Sequence, residues 1–243
     1  MIRRRTGRPA GPRTAAIIPA AGSGRRLGGP TPKQFLSIRD VSILARTLRI
    51  FESSPLIHEI CLVVPRGLEK RCRQDLVVIQ ALKKVIHIVA GGKTRQDSVY
   101  RGLQNISPAV TRIVVHDGVR PFITPDLLAR TIRGCRGKVG AVAAVPLKDT
   151  PKRIDAKGMI LSTPDRDRLY AAQTPQVFPK KILMEAYRKA YTDGISGTDD
   201  SSLVERLGYS VRIVEGSYDN IKITTAEDFR LAEAILSRRS MGS

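Results

Sequence analysis

The sequence lacks any apolar run long enough to cross a membrane. No stretch approaches the roughly 20 consecutive apolar residues of a transmembrane helix, and the basic residues at the start are not followed by the apolar segment of a signal peptide. We therefore expect a cytoplasmic protein without membrane contact.

Cysteine and histidine are scarce, with three residues of each type. Cys61, Cys72 and Cys135 include no close pair of the kind that marks a zinc site or a redox motif. The histidines flank or lie in apolar runs and have no metal-ligand spacing. We expect these side chains to pack in the interior, with the thiols reduced.

Acidic residues are also few: 22 Asp and Glu stand against 42 Lys and Arg, which gives a formal net charge of +20. An excess of this size suggests a nucleic-acid or membrane-surface partner. However, the chain has no RNP-type aromatic motif, zinc spacing or helix-turn-helix pattern. A dedicated nucleic-acid-binding protein is therefore the disfavoured hypothesis.

Part of the positive charge is local to the start of the chain. Residues 1–13 contain proline and glycine, show no apolar periodicity and carry five arginines, namely Arg3, Arg4, Arg5, Arg8 and Arg13. Such a segment buries too little surface to order itself, so we predict a disordered basic tail that contacts nucleic acid only nonspecifically. Residues 238–243 are predicted to form a second disordered end.

The rest of the chain has the pattern of one α/β domain, residues 14–237. Short β-branched runs alternate with amphipathic helical patterns, and the runs that read as strands are Ala15–Pro19, Ile60–Val64, Val85–Val89, Ile113–His116, Ala141–Val145 and Val211–Val214. Near-continuous apolar strands separated by helices predict a Rossmann-like, mostly parallel sheet with helices on both faces. In such sheets the ligand binds beyond the carboxyl ends of the strands.

The alternation breaks at about residues 148–170. Two short, polar, partly alternating segments flank a turn at Lys157-Gly158, which predicts a protruding β-hairpin. A two-stranded polar hairpin is marginal in water on its own, so it needs a surface to lie on. The alternative is a mobile surface hairpin. After it, Thr174–Phe178 leads into a helix from about Lys180 to Tyr191.

The first strand feeds a glycine-rich basic loop, Ala20-Ala21-Gly22-Ser23-Gly24-Arg25-Arg26-Leu27, followed by Pro32-Lys33-Gln34. Gly22 and Gly24 allow the backbone amides to approach phosphate oxygens, while Arg26 and Lys33 add cationic side chains. The loop lacks the Gly-Lys-Ser/Thr of a P-loop and the third glycine of a dinucleotide motif. The pattern favours a triphosphate, with an ordinary solvated turn as the alternative.

Two further segments follow strands and have both a functional and an ordinary interpretation. Asp117, after the strand that ends at His116, could hold Mg²⁺ against phosphates or could be a turn residue. Asp97 and Ser98, after Gly91-Gly92, could contact a base or ribose or could belong to a helix cap. No Ser-His or Cys-His signature points to a protein nucleophile.

Four separated motifs resemble those of one enzyme family. The glycine loop, Gly91–Ser98, Val115–Pro121 and Asp219–Thr224 together are similar to the signature segments of the cytidylyltransferases of the non-mevalonate isoprenoid pathway. The resemblance covers roughly residues 14–236. It implies transfer of CMP from CTP to 2-C-methyl-D-erythritol 4-phosphate, with release of pyrophosphate.

The resemblance also implies site residues and an assembly. It implies the catalytic residues Arg26, Lys33, Arg166 and Lys222; the nucleotide-binding residues Ala20, Ala21, Gly22, Ser23, Gly24, Gly92, Asp97 and Ser98; and the acceptor-binding residues Arg120, Thr150, Arg166, Thr174, Thr198 and Lys222. Asp117 would bind Mg²⁺. The hairpin would be an arm that dimerises the enzyme and carries Thr150 and Arg166 into the neighbouring site. Val119 is bulkier than usual in this motif, which keeps ribitol-5-phosphate cytidylyltransferase as an alternative.

Overall fold

The computed structural model describes residues 11–22 and 32–241. Most of the predicted basic tail, the last two residues and the centre of the glycine loop lie outside the described residues. Among the predicted site residues, Ser23, Gly24 and Arg26 lie outside them as well.

The centre of the molecule is a seven-stranded mixed sheet with the order β11-β7-β10-β6-β1-β4-β5. Its strands are β1 (Thr14–Pro19), β4 (Glu59–Val64), β5 (Val85–Ala90), β6 (Arg112–Val115), β7 (Gly140–Pro146), β10 (Tyr170–Pro179) and β11 (Val211–Glu215). The pairs β1–β4, β1–β6, β4–β5 and β7–β11 are parallel, whereas β10 is antiparallel to both of its neighbours. The predicted Rossmann-like, mostly parallel sheet is confirmed.

Helices cover both faces of this sheet, as predicted. They are α1 (Ile43–Ser53), α2 (Glu69–Cys72, continuing as a π-helical stretch over Arg73–Val78), α3 (Arg95–Gln104), α4 (Pro125–Gly134), α5 (Lys180–Thr192), α6 (Asp200–Arg206) and α7 (Ala226–Met241). Alternate side chains of β1 illustrate the layering, because Ala16 and Ile18 pack with one core cluster and Ala15 and Ile17 with another. Burial on both faces explains the continuous apolar runs.

The antiparallel strand β10 was not predicted from the sequence. Only the lead-in Thr174–Phe178 had been singled out, as the approach to a helix, because its polar residues and proline obscure the strand pattern. The register of β10 on β7 shifts between Ala172 and Gln176, which accommodates a proline that has no N–H to donate.

The predicted hairpin is present. Strands β8 (Arg153–Ile154) and β9 (Ile160–Ser162) pair antiparallel around a turn in which Gly158 has a φ of +82°. A second two-stranded ribbon, β2 (Ser37–Ile38) with β3 (Val41–Ser42), follows a short 3₁₀ turn at Lys33–Phe35. The hairpin connects β7 to β10, the second and third strands from the β11 edge of the sheet.

The chain end differs from the prediction. Helix α7 extends to Met241, so residues 238–241 are helical and their predicted disorder is wrong. The helix packs through Ala232 and Ile235 into a buried apolar cluster, and its last turn includes the residues that were predicted to be disordered. Among the described helices, none is both long and apolar enough to cross a membrane.

Candidate active site

A polar pocket of about 530 Å³ opens at the carboxyl edge of the parallel strands. It receives the loops after β1, β5 and β6 and the segment after β11. The residues that line it are Pro19, Ala21, Gly22, Lys33, Gln34, Gly92, Lys93, Thr94, Arg95, Ser98, Asp117, Val119 and Lys222. Three separated motifs and Lys222 from the fourth thus meet at one place, as expected for a ligand site of an open α/β sheet.

The side chain of Gln34 fixes the start of the glycine loop by hydrogen bonds. Its buried side-chain amide donates to the carbonyl oxygens of Ala20 (2.6 Å) and Gly22 (3.2 Å). The amide of Ala20 donates to the carbonyl of Val63 at 2.7 Å, so the sheet already uses it. Ala20 therefore anchors the loop, while Ala21 and Gly22 line the pocket.

The second wall is the turn into α3. Thr94 caps the helix by accepting from the amide of Asp97, whose carboxylate accepts in return from the amide of Thr94 at 2.9 Å. The hydroxyl of Ser98 accepts from the amide of Gly92 at 3.1 Å. A Cβ on Gly92 would lie 2.1 Å from the Cβ of Asp97, so only glycine fits there. Asp97 thus has a capping role, the ordinary interpretation of this segment.

A chain of ion pairs crosses the floor of the pocket. The Asp117 carboxylate accepts from Arg95 Nε at 2.9 Å through one oxygen and lies 2.7 Å from Lys222 Nζ through the other. Arg95 donates through Nη2 to Asp200 at 2.7 Å, and the hydroxyl of Tyr187 donates to the other oxygen of Asp200. The fully buried Asp200 is thereby linked to the exposed side of the pocket at Lys222.

Burial and charge act in opposite directions on these groups. Burial by itself raises the pKa of Asp117, but the charges of Arg95 and Lys222 outweigh it and hold that pKa well below its usual range. Burial likewise lowers the pKa of Arg95, and the carboxylates of Asp200 and Asp117 reverse this and raise it. Asp117 is therefore an anion and Arg95 a cation throughout the ordinary pH range.

A neutral network supports Asp117 from the opposite side. The hydroxyl of Thr174 accepts from the amide of Asp117 and lies 3.1 Å from His116 Nδ1, whose Nε2 is 3.1 Å from the carbonyl oxygen of Arg120. Burial lowers the pKa of His116 to about 4, which keeps the ring uncharged. The sequence analysis treated His116 as a packing residue, whereas it forms hydrogen bonds directly beside the pocket.

Lys222 is positioned by the segment that precedes it. The buried Asn220 side chain donates to the backbone carbonyl of Thr174 at 2.8 Å and to Gln173 Oε1 at 3.1 Å. The backbone carbonyl of Asn220 accepts from Arg120 at 2.7 Å. These contacts attach the loop after β11 to β10 and bring Lys222 within reach of Asp117.

Comparison with known proteins agrees with this architecture. A family model described as 2-C-methyl-D-erythritol 4-phosphate cytidylyltransferase matches residues 14–238. The chain belongs to that family.

Cytidylyltransferases of this name are similar over nearly the whole chain. The protein from Syntrophus aciditrophicus is 47% identical over 93% of this chain and 97% of its own length, and that from Geobacter metallireducens is 46% identical over 92% and 97%. The crystal structure of 4-diphosphocytidyl-2C-methyl-D-erythritol synthase from Anaerococcus prevotii has a TM-score of 0.83 at 35% identity, covering 93% of this chain and 96% of its own. These relatives do not favour the ribitol-5-phosphate alternative.

Several predicted residues of this cytidylyltransferase chain lie away from the pocket. Thr150 and Arg166 are exposed on the arm segment, where Arg166 donates to the carbonyl of Lys148 at 3.1 Å. Thr198 is exposed just before α6. Thr174 lies under the pocket, its hydroxyl already bonded to the protein. The described pocket residues therefore form the nucleotide half of the predicted site more completely than the acceptor half.

The residues that organise the cytidylyltransferase pocket were not predicted from the sequence. Arg95, Asp200, Tyr187 and Gln34 were not singled out, although Arg95 stands inside the quoted Gly91–Ser98 segment. Arg95 and Asp200 are 105 positions apart, so no local spacing could have revealed their contact. Arg95 itself could have been identified, because the family motif that the Gly91–Ser98 segment resembles contains an arginine at this position.

Proposed function

We propose that this protein transfers CMP from CTP to 2-C-methyl-D-erythritol 4-phosphate, giving 4-diphosphocytidyl-2-C-methyl-D-erythritol and pyrophosphate. The observation that supports it is the pocket at the carboxyl edge of the sheet, where Arg95 and Lys222 pair with the buried carboxylate of Asp117 and Lys33 lines the same pocket. Membership of the cytidylyltransferase family gives the substrates. We also propose that the enzyme acts in the cytoplasm, where CTP is available.

The chemistry requires charge stabilisation and no protein nucleophile. An oxygen of the acceptor phosphate attacks the α-phosphorus of CTP, the bond to the β-phosphate oxygen breaks, and pyrophosphate leaves with the electron pair. Negative charge grows on the phosphoryl oxygens during this step, so fixed cations and amides lower the barrier. We assign this role to Lys33 and to the loop Ala21–Gly24, with Arg26 assigned from the sequence alone.

The glycine-rich turn into α3 suits recognition of a small base. Gly92 lines the pocket with no side chain, and its amide is held by Ser98. A flat ring can therefore approach the backbone closely. We propose that cytosine binds here, with selection against purines by size.

The acceptor phosphate is proposed to bind at Lys222 and Arg120. From the sequence we also assign Thr174 and Thr198 to the acceptor site, with Thr150 and Arg166 supplied by the arm of a second subunit. The apolar surface of the arm supports this assembly. Ile154, Met159, Ile160 and Leu161 are each more than half exposed, between 56% and 65%. A second subunit that covers them would complete a homodimer with two composite sites.

One carboxylate is a sufficient protein contribution for Mg²⁺ in a nucleotide site. Mg²⁺ commonly takes one or two carboxylates and completes its shell with water and substrate phosphates. Asp117 fits this requirement, because each of its oxygens has one protein partner and retains a further lone pair. When bound, the cation would draw electrons from the phosphoryl oxygens and so favour attack at phosphorus.

A substrate-matrix assay tests the proposed function. Pyrophosphate release is measured with each of the four ribonucleoside triphosphates, each combined with methylerythritol 4-phosphate or ribitol 5-phosphate. We expect turnover with CTP and methylerythritol 4-phosphate to exceed every other combination by at least about 100-fold, the order of discrimination that differential pocket contacts supply. Preferred turnover of ribitol 5-phosphate would instead establish the alternative acceptor.

A further inference from the structure

The catalytic pocket does not account for the net charge of +20. In the pocket, Arg95 and Lys222 are paired with Asp117 and Asp200, so the charge of these two cations is balanced locally. The remaining excess lies elsewhere on the molecule. The topology places a large share of it at one edge of the sheet.

That edge is the amino-terminal end of the parallel strands, opposite the pocket. The backbone carbonyl of Arg13 accepts from the amides of Thr111 (3.0 Å) and Arg112 (3.2 Å), and the carbonyl of Thr111 accepts from the amide of Lys180 at 2.8 Å. Arg13, Arg112 and Lys180 therefore stand side by side at the ends of three adjacent strands.

The same edge carries basic residues along most of its length. Lys84 precedes β5, and its carbonyl accepts from the amide of Ile60 in β4. Arg136 and Lys138 form the turn before β7. Seven strands spaced by about 4.8 Å span about 29 Å, so the cations form a row rather than an isolated cluster.

Three connected grooves follow this row. A groove of about 520 Å³ contains Arg13, Arg112 and Arg133, and one of about 740 Å³ contains Lys180, Lys181, Arg188 and Lys189. A smaller groove joins them, sharing Pro12 and Arg112 with the first and Thr111 and Pro179 with the second. We call the surface formed by these three grooves the basic edge.

The basic edge has little compensating negative charge. Within residues 11–22 and 32–241, Arg13, Arg112, Arg133, Lys181 and Arg188 form no ion pair.

The carboxylates around the basic edge are mostly engaged by the protein. Glu185 lines the larger groove. The buried Glu59 accepts from the amide of Ser107, Glu52 accepts from the amides before β5, and Asp193 pairs with Lys189. Cations still outnumber carboxylates along the row, which creates a positive potential suited to a linear polyanion.

We propose that the basic edge binds the phosphodiester backbone of nucleic acid without reading its sequence. The residues that line the grooves include His58 but no Phe, Tyr or Trp, the large aromatic side chains of base-stacking platforms. They also include no exposed large apolar side chain, which a membrane-surface site would insert between lipids. In the sequence, four further arginines, at positions 3, 4, 5 and 8, precede Gly11, which lies at this edge.

Salt dependence of binding tests the proposal. The full chain is titrated into fluorescently labelled duplex DNA and duplex RNA of the same mixed sequence, between 50 and 200 mM salt. Contact with about five phosphates predicts a slope of about −4.5 in a plot of log K against log salt, so the affinity falls about 10²- to 10³-fold over this range. Comparable binding of both duplexes is expected, because the backbone phosphates are common to them.

A matched pair of triple variants localises the binding. Arg133→Gln, Lys181→Gln and Arg188→Gln together remove three exposed cations of the basic edge and should make the slope shallower by about 2.7. The control, Arg66→Gln, Lys70→Gln and Arg73→Gln, removes the same charge near and along α2 and should leave the slope unchanged. Pyrophosphate release should be normal in both variants, because neither touches the catalytic pocket.

Three results would overturn the proposal. They are equal losses in the two triple variants, binding of one mixed-sequence duplex but not of its sequence-scrambled copy, and edge-dependent binding to phosphatidylserine vesicles without binding to either duplex. Replacing the arginines at positions 3, 4, 5 and 8 by glutamine in the otherwise unmodified full chain should weaken duplex binding without abolishing it. Complete loss of binding on that change alone would be a fourth contradicting result, because it would place the site in the first ten residues instead of at the basic edge.

Discussion

The position of the Asp117 carboxylate depends on the side chains that contact it. Its two carboxylate oxygens face different cations, and the cation on the interior side, Arg95, is itself fixed by Asp200 and Tyr187. A shift of any member changes the position of the carboxylate in the pocket. Asp200 and Tyr187 are therefore positioning residues for a group that they do not touch.

The substitution Asp200→Asn should lower kcat by about 10- to 100-fold, the usual effect of removing a partner that orients a site residue. The physical reason is that Arg95 loses the charge of its second carboxylate and no longer holds Asp117 in place. Steady-state kinetics with CTP, together with the Mg²⁺ concentration for half-maximal rate, measures the effect. Tyr187→Phe should give a smaller loss of the same kind.

Asp193→Asn is the control for this substitution. Asp193 also bridges two cations, Lys189 and Arg206, but it lies outside the pocket residues. It should leave both parameters unchanged. A folded Asp200→Asn enzyme with normal kcat and normal Mg²⁺ dependence would show that the ion-pair chain only stabilises the fold.

His116 makes stability depend on pH. Its pKa is about 4 in the folded chain, because the ring is buried, against an ordinary value of 6.5. The unfolded chain therefore binds the extra proton first, so the free energy of unfolding decreases as pH falls from about 6.5 to about 4, by roughly 3 kcal/mol in total. Above that window this contribution is fully retained.

Denaturant unfolding at several pH values between 6.5 and 4.5 measures the slope. His116→Gln keeps a polar side chain and removes the titration, so its slope over this interval should be flatter than that of the unmodified chain. The comparison uses slopes and not absolute stabilities, because the substitution alters a buried site. Parallel slopes in the two proteins would assign the acid sensitivity to other groups.

At the residue scale, the sequence identified the pocket better than its support. Lys33, Asp117 and Lys222 belong to recognisable motifs, and the structure brings them to one pocket. Arg95–Asp200 and Asn220–Thr174 join distant positions through burial and hydrogen bonding, which no local pattern encodes. These two contacts can be recognised only once the order of the strands in the sheet is known.

The turn between β5 and α3 is the element whose shape most directly limits the pocket. A Cβ on Gly91 would lie 2.2 Å from the Cβ of Ala21, and one on Gly92 would lie 2.1 Å from that of Asp97. These contacts are far below van der Waals distance. The turn can thus approach the first loop only because residue 91 is glycine, and it can close on Asp97 only because residue 92 is glycine.

Gly92→Ala should raise the KM for CTP by about 10-fold or more, because the turn must move and the capping box of Thr94 and Asp97 is strained, at a cost of about 1 kcal/mol or more. The KM is measured by pyrophosphate release, and folding is checked by circular dichroism. Gly11→Ala is the control, since a Cβ there meets no atom within 4 Å. An unchanged KM for Gly92→Ala would remove the turn from nucleotide binding.

At the element scale, hydrophobic periodicity predicted the parallel strands and the main helices. It failed at β10 because Gln173, Thr174 and Gln176 are buried polar residues that are satisfied by hydrogen bonds. A buried polar side chain with partners looks like a loop residue in the sequence. The strand was recognisable only from its two neighbours in the sheet.

At the scale of the whole molecule, the arm decides whether one chain holds a complete site. Lys33 lies in the pocket, whereas Arg166 is exposed beyond the hairpin. If Arg166 serves the neighbouring subunit, a dimer contains two sites that each combine two chains. The sequence predicted the hairpin, but a partner surface on another molecule would have no signature within the chain.

Mixed dimers of Lys33→Ala and Arg166→Ala subunits should recover activity that neither variant has alone. Both lesions fall in the same site of the mixed dimer, so the second site is intact. Statistical exchange of equal amounts should restore about a quarter of the normal turnover, because about half of the dimers are mixed and each has one working site. Subunit exchange is verified by mass spectrometry of differently tagged chains.

Exchange without recovery would mean that Arg166 acts in its own chain or outside the site. Double-variant chains, in which both substitutions occur in one subunit, provide the control when mixed with unmodified chains. If the arms do not cross, each mixed dimer keeps one intact site, which the unmodified chain forms by itself. If the arms cross, each site of the mixed dimer carries one of the two substitutions and neither is intact. The two mixtures therefore give opposite patterns for crossed and uncrossed arms.

The position of β10 has a consequence for synthesis of the chain. In the described sheet, β6 and β7 do not pair with each other, and β10 alone joins the strands β6-β1-β4-β5 to the strands β7-β11. Translation runs from the amino terminus, so β6 and β7 emerge from the ribosome before the segment that bridges them. One edge of β6 and one edge of β7 therefore lack their native partner in the nascent chain until β10, which ends at Pro179, has been made. The arm is synthesised directly before β10, so it emerges while the two parts of the sheet are still separate.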